Sequence, residues 1–532
     1  MSDLLAIGST SVRAYQTALN VVGENISNSA TQGYVRREAN LTEISGGAGR
    51  YLLLNSGTVG HGVAADTVGR QWDAFRAADL RNASAESGRT GSTVIWLERI
   101  EGTLTNAGID TAMTKFFNAG QAIAADPTGS APRGAFLDAA QGVATAFSTT
   151  AGRLTSIDSD LRASAKLAVD QLNGLAAGLA EANTGLFKVR DGTNEQAQLL
   201  DQRDRLLDQM SQLASISVST DERGVATVRL NDSGGSALVA GFSSKKLDIA
   251  FNASGTMGLT LDSAGSPEAV TLRGGSIAGF AEAATRVADT RQQVADLSTA
   301  LASAVNQFQA AGVDLDGQPG APLLDASAGD GTLTVNSLSL RQVAAARPWT
   351  VTSGTANTGA ATLAADTSGA PLSSTRFSIS GGVLSAIDPV TNSVIASASY
   401  TPGAPIVLAG LSVTISGAAA DGDSFTVSAT RPGSRDNGNL ELLAALRKSG
   451  GFEPQAGELV SSTASALSAK RQVADAQNAI LEGATAARDA VTGVNLDQEA
   501  VDLMKFQQAY QASSRIIQVA RDVFQSILDA VK

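Results

Sequence analysis

"ALNVVGENISNSATQGYVRRE", residues 18–38, runs an apolar helical stripe straight into a patch of Asn, Ser, Thr and Gly. Traced back to the start of the chain, the stripe is Leu5, Gly8, Val12, Tyr15, Leu19, Val22 and Ile26, in alternating steps of three and four. That spacing is a coiled-coil seam, narrower than the face of an ordinary globular helix. Asn28 to Gly33 then stops the helix, with Gly33 able to take a positive φ. Tyr34 to Ile44 reads as extended, and "SGGAG" at 45–49 as a flexible joint.

The other end of the chain carries a matching seam. Asn495 is placed to cap a helix, with Gln498 as its capping-box partner. Leu496, Leu503, Phe506, Tyr510, Ile517, Phe524, Ile527 and Val531 hold the heptad, and Ala500, Ser513 and Ala520 are its small members. At about 1.5 Å per residue this helix is roughly 55 Å long, against about 35–40 Å for the first. The two can pair, and the second overhangs. A lone seam exposes its stripe, and each Leu- or Phe-sized side chain left unburied forgoes about 1.5–3 kcal/mol. Such termini read as assembly elements.

More helices lie between. After a break at 126–134, Phe136, Ala140, Val143, Phe147, Leu154, Ile157 and Leu161 mark a seam. A one-step phase shift carries it through Ala165, Ala168, Leu172, Leu175 and Leu179, a stutter that locally unwinds a supercoil. Segments 194–216 and 277–311 are also helical, and 69–81 and 199–219 read as helical stretches. Strand alternation appears at 215–230, weakening towards 273, and again across about 330–432. There "RFSISGGVLSAI", "LSVTIS" and "DSFTVSA" read as hairpins between Gly- and Asp-rich turns.

The expected fold is therefore mainly α with β insertions. Terminal coiled-coil helices (1–50 with 490–532) join a long-helix bundle (51–214, 275–325 and 433–489). A small β insertion at 215–274 and an outer β-rich domain at 326–432 sprout from that trunk. A length of 532 residues suits several domains of about 100–200 residues each.

Composition narrows the function. The net charge of −12, with no basic block, points away from nucleic acid. With no cysteine there are no disulfides, thiolate metal sites or thiol catalysis. No apolar run approaches 18 residues, so no membrane insertion is expected. No signal peptide is visible either, so export would need a route other than the general secretory one. His61 is the sole histidine, too few for a two-histidine zinc motif, and it reads as a loop residue in a Gly-rich turn. "DLDGQPG" (314–320) lacks the later acidic ligands of a calcium loop and reads as a turn. No catalytic constellation, metal site or cofactor is expected.

Residues 18–38 and "VNLDQEAVDLMKFQQAYQASSRIIQVARDVFQSIL" (494–528) resemble the terminal signatures of the bacterial flagellar axial proteins of rod, hook and hook-associated type. "GRQWDAFRAADLR" (69–81), "LLDQRDRLLDQMSQLASISVS" (199–219), "DLDGQPGAPLLD" (314–325) and "RDNGNLELLAALRKS" (435–449) resemble the hook–filament junction branch, hook-associated protein 1. The resemblance implies an extracellular structural protein of the flagellum, exported unfolded through the flagellar type III apparatus without a cleaved signal. It implies four partners: further copies of the chain at the hook tip, the hook protein, the next hook-associated junction protein, and an export chaperone covering the C-terminal helix.

Asn25, Asn28, Thr31, Gly33 and Tyr34 match the family's elbow motif, while Gln32 stands where the family often has Pro. The surplus of the C-terminal helix is expected to meet a neighbouring subunit, and the isolated chain to be trimmed first over roughly its first 50 and last 40 residues. Three rival readings are a hook or distal-rod subunit, a coiled-coil surface adhesin, and a wall hydrolase. The internal helical stretches argue against the first, and the lack of a visible anchor or secretion signal against the second.

Overall fold

In the computed structural model, which describes residues 2–31, 33–44, 62–263, 266–326, 329–366 and 373–530, the seams become long helices. Helix α1 is Ser2–Ser27, followed by strands β1 (Arg37–Glu43) and β2 (Val63–Arg70). Helices α2 (Ala74–Ala107), α3 (Ile109–Ala125), α4 (Ser130–Lys188) and α5 (Asn194–Leu213) come next. The first insertion holds β3 (Ile216–Thr220), β4 (Ala226–Leu230), β5 (Ala237–Ala240), β6 (Ser243–Ser244), β7 (Leu247–Phe251), β8 (Met257–Ser263) and β9 (Ser266–Val270). Helix α6 (Ser276–Ala311) leads to β10 (Leu324–Ala326) and β11 (Leu333–Val335). The second insertion holds β12 (Trp349–Ser353), β13 (Thr362–Asp366), β14 (Thr375–Ser380), β15 (Val383–Ile387), β16 (Val394–Ser399), β17 (Pro405–Leu408), β18 (Leu411–Ser416) and β19 (Ser424–Ala429). Helices α7 (Leu440–Gly450), α8 (Phe452–Thr492) and α9 (Leu496–Ala530) complete the chain.

The chain divides into two compact units, residues 1–98, 158–286 and 466–532, and residues 99–157 and 287–465. The first contains α1, α5, α9, strands β1 to β9 and the adjoining parts of α2, α4, α6 and α8. In the β insertion, Ala168, Leu172, Ala176 and Leu179 of α4 meet Leu207 and Met210 of α5 and the inward side chains of β4, β5, β7 and β8. Two asparagines of α4 tie the helix to strand ends. Asn183 donates to the Ala226 and Gly241 carbonyls (2.8 and 2.7 Å) and accepts from Ala226 N. Asn173 does the same for Leu247. Each satisfies a buried backbone group that would otherwise cost about 1–3 kcal/mol.

The second unit has a helical part and a β sandwich. Phe116, Phe117 and Phe136 cluster between α3 and the start of α4, with ring centroids 4.8 to 5.3 Å apart. In the sandwich, one sheet has the order β12-β19-β14-β15-β16 and the other β13-β18-β17. Phe377, Ile379, Leu384, Phe425 and Val427 of the first sheet share a core with Leu363, Leu408, Leu411, Val413 and Ile415 of the second.

Four details differ from the sequence reading. "RFSISGGVLSAI" does form a hairpin, β14 with β15. "LSVTIS" and "DSFTVSA" do not pair with each other: β18 joins β13 and β17, while β19 joins β12 and β14. Period-two patterning reports which face is buried, not which strand lies alongside. The stretch 69–81 is not wholly helical, since β2 runs to Arg70 and α2 starts at Ala74, where Asp73 Oδ1 accepts from the Phe75 and Arg76 amides. Likewise 199–219 leaves the helix after Leu213 for β3, and α4 begins inside the predicted break, at Ser130. Pro132 is tolerated there because first-turn amides have no helical partner.

"DLDGQPG" is a turn, with Asp314 Oδ1 accepting from Asp316 N and Gln318 N (both 2.8 Å) and Gly317 at φ 74°. The expected joint at 45–49, Gln32, His61 and Val531 lie outside the described residues. Among the described residues no helix is long and apolar enough to cross a membrane.

Candidate assembly interface

Helices α1 and α9 lie against each other. A Cβ added to Gly8 would come within 2.6 Å of Ile517 Cγ1, so the absent side chain is what seats the isoleucine. Tyr15 meets Phe506 at 6.4 Å between centroids. On α9, Leu503, Phe506, Tyr510 and Ile517 are half-buried, and Glu499, Ser513 and Ala520 are buried. Leu496, expected in the seam, is instead 54% exposed, and Glu499 takes the inward position one turn on.

Helix α1 also touches β1 and β2. Its most buried line is therefore Ser11, Ala14, Ala18, Val21 and Asn25, one position ahead of the stripe read from the sequence. Of that stripe, Val22 is buried, Val12, Tyr15, Leu19 and Ile26 are half-buried, and Leu5 is exposed. Small residues sit where α1 is flanked on two sides, because only they let both neighbours approach. The bulkier side chains flank them.

Beyond Ala520 the pairing ends. Every residue from Arg521 to Asp529 is exposed, including Phe524 (53%) and Ile527 (44%). Val501, Met504, Ile516, Val519 and Val523 form a further exposed apolar line. At 100° per residue that line lies opposite the one facing α1. Helix α9 is thus apolar on two sides and covered on one.

The elbow is built around Asn25. Its Oδ1 accepts from Tyr34 Oη (2.8 Å) and Arg37 N (3.0 Å), while its Nδ2 donates to the Arg37 carbonyl (2.9 Å) and Glu499 Oε2 (3.0 Å). Glu499 Oε1 in turn accepts from Arg36 Nε at 2.6 Å, and Arg36 N donates to the Thr492 carbonyl. One buried amide thus joins the end of α1, the start of β1 and the first turn of α9. Asn28 and Thr31 shape the turn, Thr31 N donating to the Asn28 carbonyl at 2.9 Å. Gly33 has φ 75°, and a Cβ there would lie 2.6 Å from Arg205 Cγ, so conformation and space both call for glycine. Asn495 Oδ1 caps α9 by accepting from Asp497 N (3.0 Å) and Gln498 N (3.3 Å).

Behind the elbow lies a network that spacing alone did not reveal. Arg37 pairs with Asp201 (2.9 Å) and Glu24 (2.9 Å) and contacts Asn194 Oδ1. Arg70 bridges Asp201 and Asp204 (both 2.8 Å). Arg81 holds Asp208 (2.9 Å), which Arg488 also reaches (3.3 Å), and Arg203 turns back on Asp204 (2.7 Å). The Arg70 guanidinium stands 5.0 Å from the Trp72 ring and that of Arg37 4.9 Å from the Tyr34 ring.

Burial pushes the Tyr34 hydroxyl up to about 12, against the pull of Arg37 and with Glu24, Asp201 and Glu499 adding to the rise. Burial also raises the Asp201 carboxyl against Arg70 and Arg37, raises that of Asp208 against Arg81 and Arg488, and lowers Arg203 against Asp204. Buried charges of this kind are held by mutual pairing, and removing one member leaves its partners uncompensated.

The helical-domain model of the flagellar hook-associated protein FlgK matches residues 97–324, and the C-terminal model of the flagellar basal body rod FlgEFG proteins matches residues 490–530. Flagellar hook-associated protein 1 of Escherichia coli K12 is 25% identical over 99% of this chain and 100% of its own length. The Salmonella typhimurium LT2 protein of the same name is 26% identical with the same coverage. Over its whole length the chain is similar to the flagellar hook-associated protein 1 family. It is a structural axial component of the bacterial flagellum. The fold agrees: the flagellar hook junction protein of Burkholderia pseudomallei superposes with a TM-score of 0.67 at 19% identity, covering 78% of this chain and all of that one.

The charged network has a sequence trace once its members are known. Asp201, Asp204 and Asp208 stand at i, i+3 and i+7 on α5 and so share one face. Arg70 and Arg81 come from the stretch at 69–81, and Arg36 and Arg37 from the opening motif. Three of the stretches by which the chain resembles the family, 18–38, 69–81 and 199–219, thus converge behind the elbow.

Proposed function

We propose that this chain is built into the flagellar axis at the hook tip, where copies pack through their terminal helices and form the surface on which the filament is founded. The assembly residues are those of the two seams: Leu5, Val12, Tyr15, Leu19, Val22 and Ile26 on α1, and Leu496, Leu503, Phe506, Tyr510, Ile517, Phe524, Ile527 and Val531 at the C-terminal end. The observation that carries this reading is the state of α9, apolar on two sides, covered on one and bare beyond Ala520. Burying Val523, Phe524, Ile527 and Leu528 against neighbours would recover roughly 1.5–3 kcal/mol for each side chain. The elbow and its charged network give the helix pair a fixed departure point, so that every copy presents its stripe at one angle.

Its partners are further copies, the hook protein and the next hook-associated junction protein. Export runs through the flagellar type III apparatus, with a cytoplasmic chaperone covering the α9 stripe until then, and the chain performs no catalysis. The test is Phe524→Asp with Ile527→Asp in a strain lacking the native gene. The expected outcome is an unchanged thermal transition of the purified chain, hooks without filaments, and flagellin lost to the medium. Normal filaments would refute the reading. A zymogram against peptidoglycan that cleared around the purified chain would overturn the non-catalytic part.

A further inference from the structure

The outer side of α8 carries a second unclaimed seam. Val473, Ala476, Ile480, Gly483, Ala487 and Val491 repeat in steps of three and four. Val473, Ile480 and Val491 are exposed, Ile480 at 54%. A Cβ placed on Gly483 would meet nothing within 4 Å. Beside this line α2 completes a groove of about 490 Å³, its walls including Ala83, Ile480, Gly483 and Ala484 and its rim Asp79 and Glu86. Ser87 Oγ to Asn478 Oδ1 (2.7 Å) and the Arg471–Glu98 pair (2.7 Å) hold the walls together. Phe75, 83% exposed, stands at the head of α2 next to Arg76 of the rim.

We propose that this groove receives the α9 overhang of a second copy of the chain. The inference rests on the assembly reading above and adds the receiving surface. The overhang is a helix with no cover of its own, with Phe524, Ile527 and Leu528 at i, i+3 and i+4, the anchor spacing of a helix laid in a groove. Its length matches: Arg521 to Asp529 spans about 12 Å and the groove wall from Arg76 to Glu86 about 15 Å at 1.5 Å per residue. The small residues at the groove floor leave room for bulky anchors. The charges suit as well, since Arg521 borders the apolar side of the overhang while Asp79 edges the groove, Glu86 being held by Arg89 at 2.7 Å. A contact between two different patches is heterologous, and repeated from copy to copy it makes a ring or an open helix, the arrangement an axial component requires.

The absence of cysteine makes the test clean. Chains carrying Ile480→Cys and chains carrying Phe524→Cys are co-expressed in the deletion strain, and isolated hook–filament particles are oxidised and run on a non-reducing gel. The expected result is a disulfide-linked heterodimer at least tenfold above that from Val390→Cys paired with Phe524→Cys. Incorporated chains that stay monomeric, or that link no better than this control, overturn the groove while leaving the assembly reading intact. Absence of even the unsubstituted chain from the particles would instead sink that reading, and the groove with it. Should the cysteine chains fail to incorporate where the unsubstituted chain succeeds, the milder pair Ala484→Cys with Gln525→Cys is read by the same criteria.

Discussion

Glu499→Leu is the sharpest probe of the elbow. The Glu499 side chain is fully buried, and its two oxygens take the Asn25 amide at 3.0 Å and the Arg36 guanidinium at 2.6 Å. Removing the carboxylate leaves Arg36, 13% exposed, with the longer contact to Asp502 at 3.4 Å as its remaining ion pair among the described residues. Breaking a buried pair by deleting one partner costs roughly 3–5 kcal/mol. These contacts join α9 to the elbow, so the cost falls on local opening of α9, and its amides should exchange roughly 10²- to 4 × 10³-fold faster at one decade per 1.4 kcal/mol. Replacing both partners with apolar residues, Glu499→Leu with Arg36→Met, should bring protection back to within about 1–2 kcal/mol of the parent, because the one charge that then loses its partner, Asp502, is 26% exposed and reaches water. Hydrogen exchange read by mass spectrometry over residues 500–520, beside a thermal melt, measures all three proteins. Unchanged α9 protection in the single variant, or a double variant as open as the single one, would show that the carboxylate does not hold the helix.

The same latch predicts that Glu499→Leu hastens protease trimming of the terminal helices, roughly the first 50 and last 40 residues, with early cuts confined to the middle of the chain as the contrary result. Gly8→Leu should force Ile517 aside and cost about 1–3 kcal/mol of α1–α9 pairing, visible as faster exchange in both helices, and Ile517→Ala in the same chain should relieve part of it. Tyr34 keeps its proton to about 12 in the folded chain, whereas an unfolded tyrosine releases it near 10. Stability should therefore fall between about pH 10 and 12, and Tyr34→Phe should flatten that limb in melts run across the range. Glu282 faces burial, which raises its carboxyl, but hydrogen bonds and charge from Lys470 and Arg89 outweigh it and hold the group below the usual range. Its contribution is complete above the ordinary carboxylate pKa and is lost as pH falls through the depressed value. Melting temperatures of the parent should thus drop more steeply below about pH 4 than those of Glu282→Gln, and parallel slopes would count against the assignment.

Periodicity alone determined most of the secondary structure. The seam from Phe136 to Leu179 lies within a single 59-residue helix, buried along nearly every position named for it, and the glycine-marked hairpin at 375–387 pairs as expected. These are local properties: a side chain three or four positions away on a helix, or two away on a strand, is set by backbone geometry before any tertiary contact forms. The tertiary structure decided which of two adjacent stripes on α1 is buried deepest. Ser11, Ala14 and Ala18 carry too little apolar surface to register in a hydrophobic pattern, yet they sit where two neighbours close in. It also decided that β18 and β19, neighbours in sequence, belong to different sheets. Above all, it brought Arg37 to Asp201 across 164 residues of chain, and Arg36 to Glu499 across 463. No spacing rule spans such distances, because the attraction between a guanidinium and a carboxylate depends on their separation in space and on the water excluded between them, and the folded chain sets both.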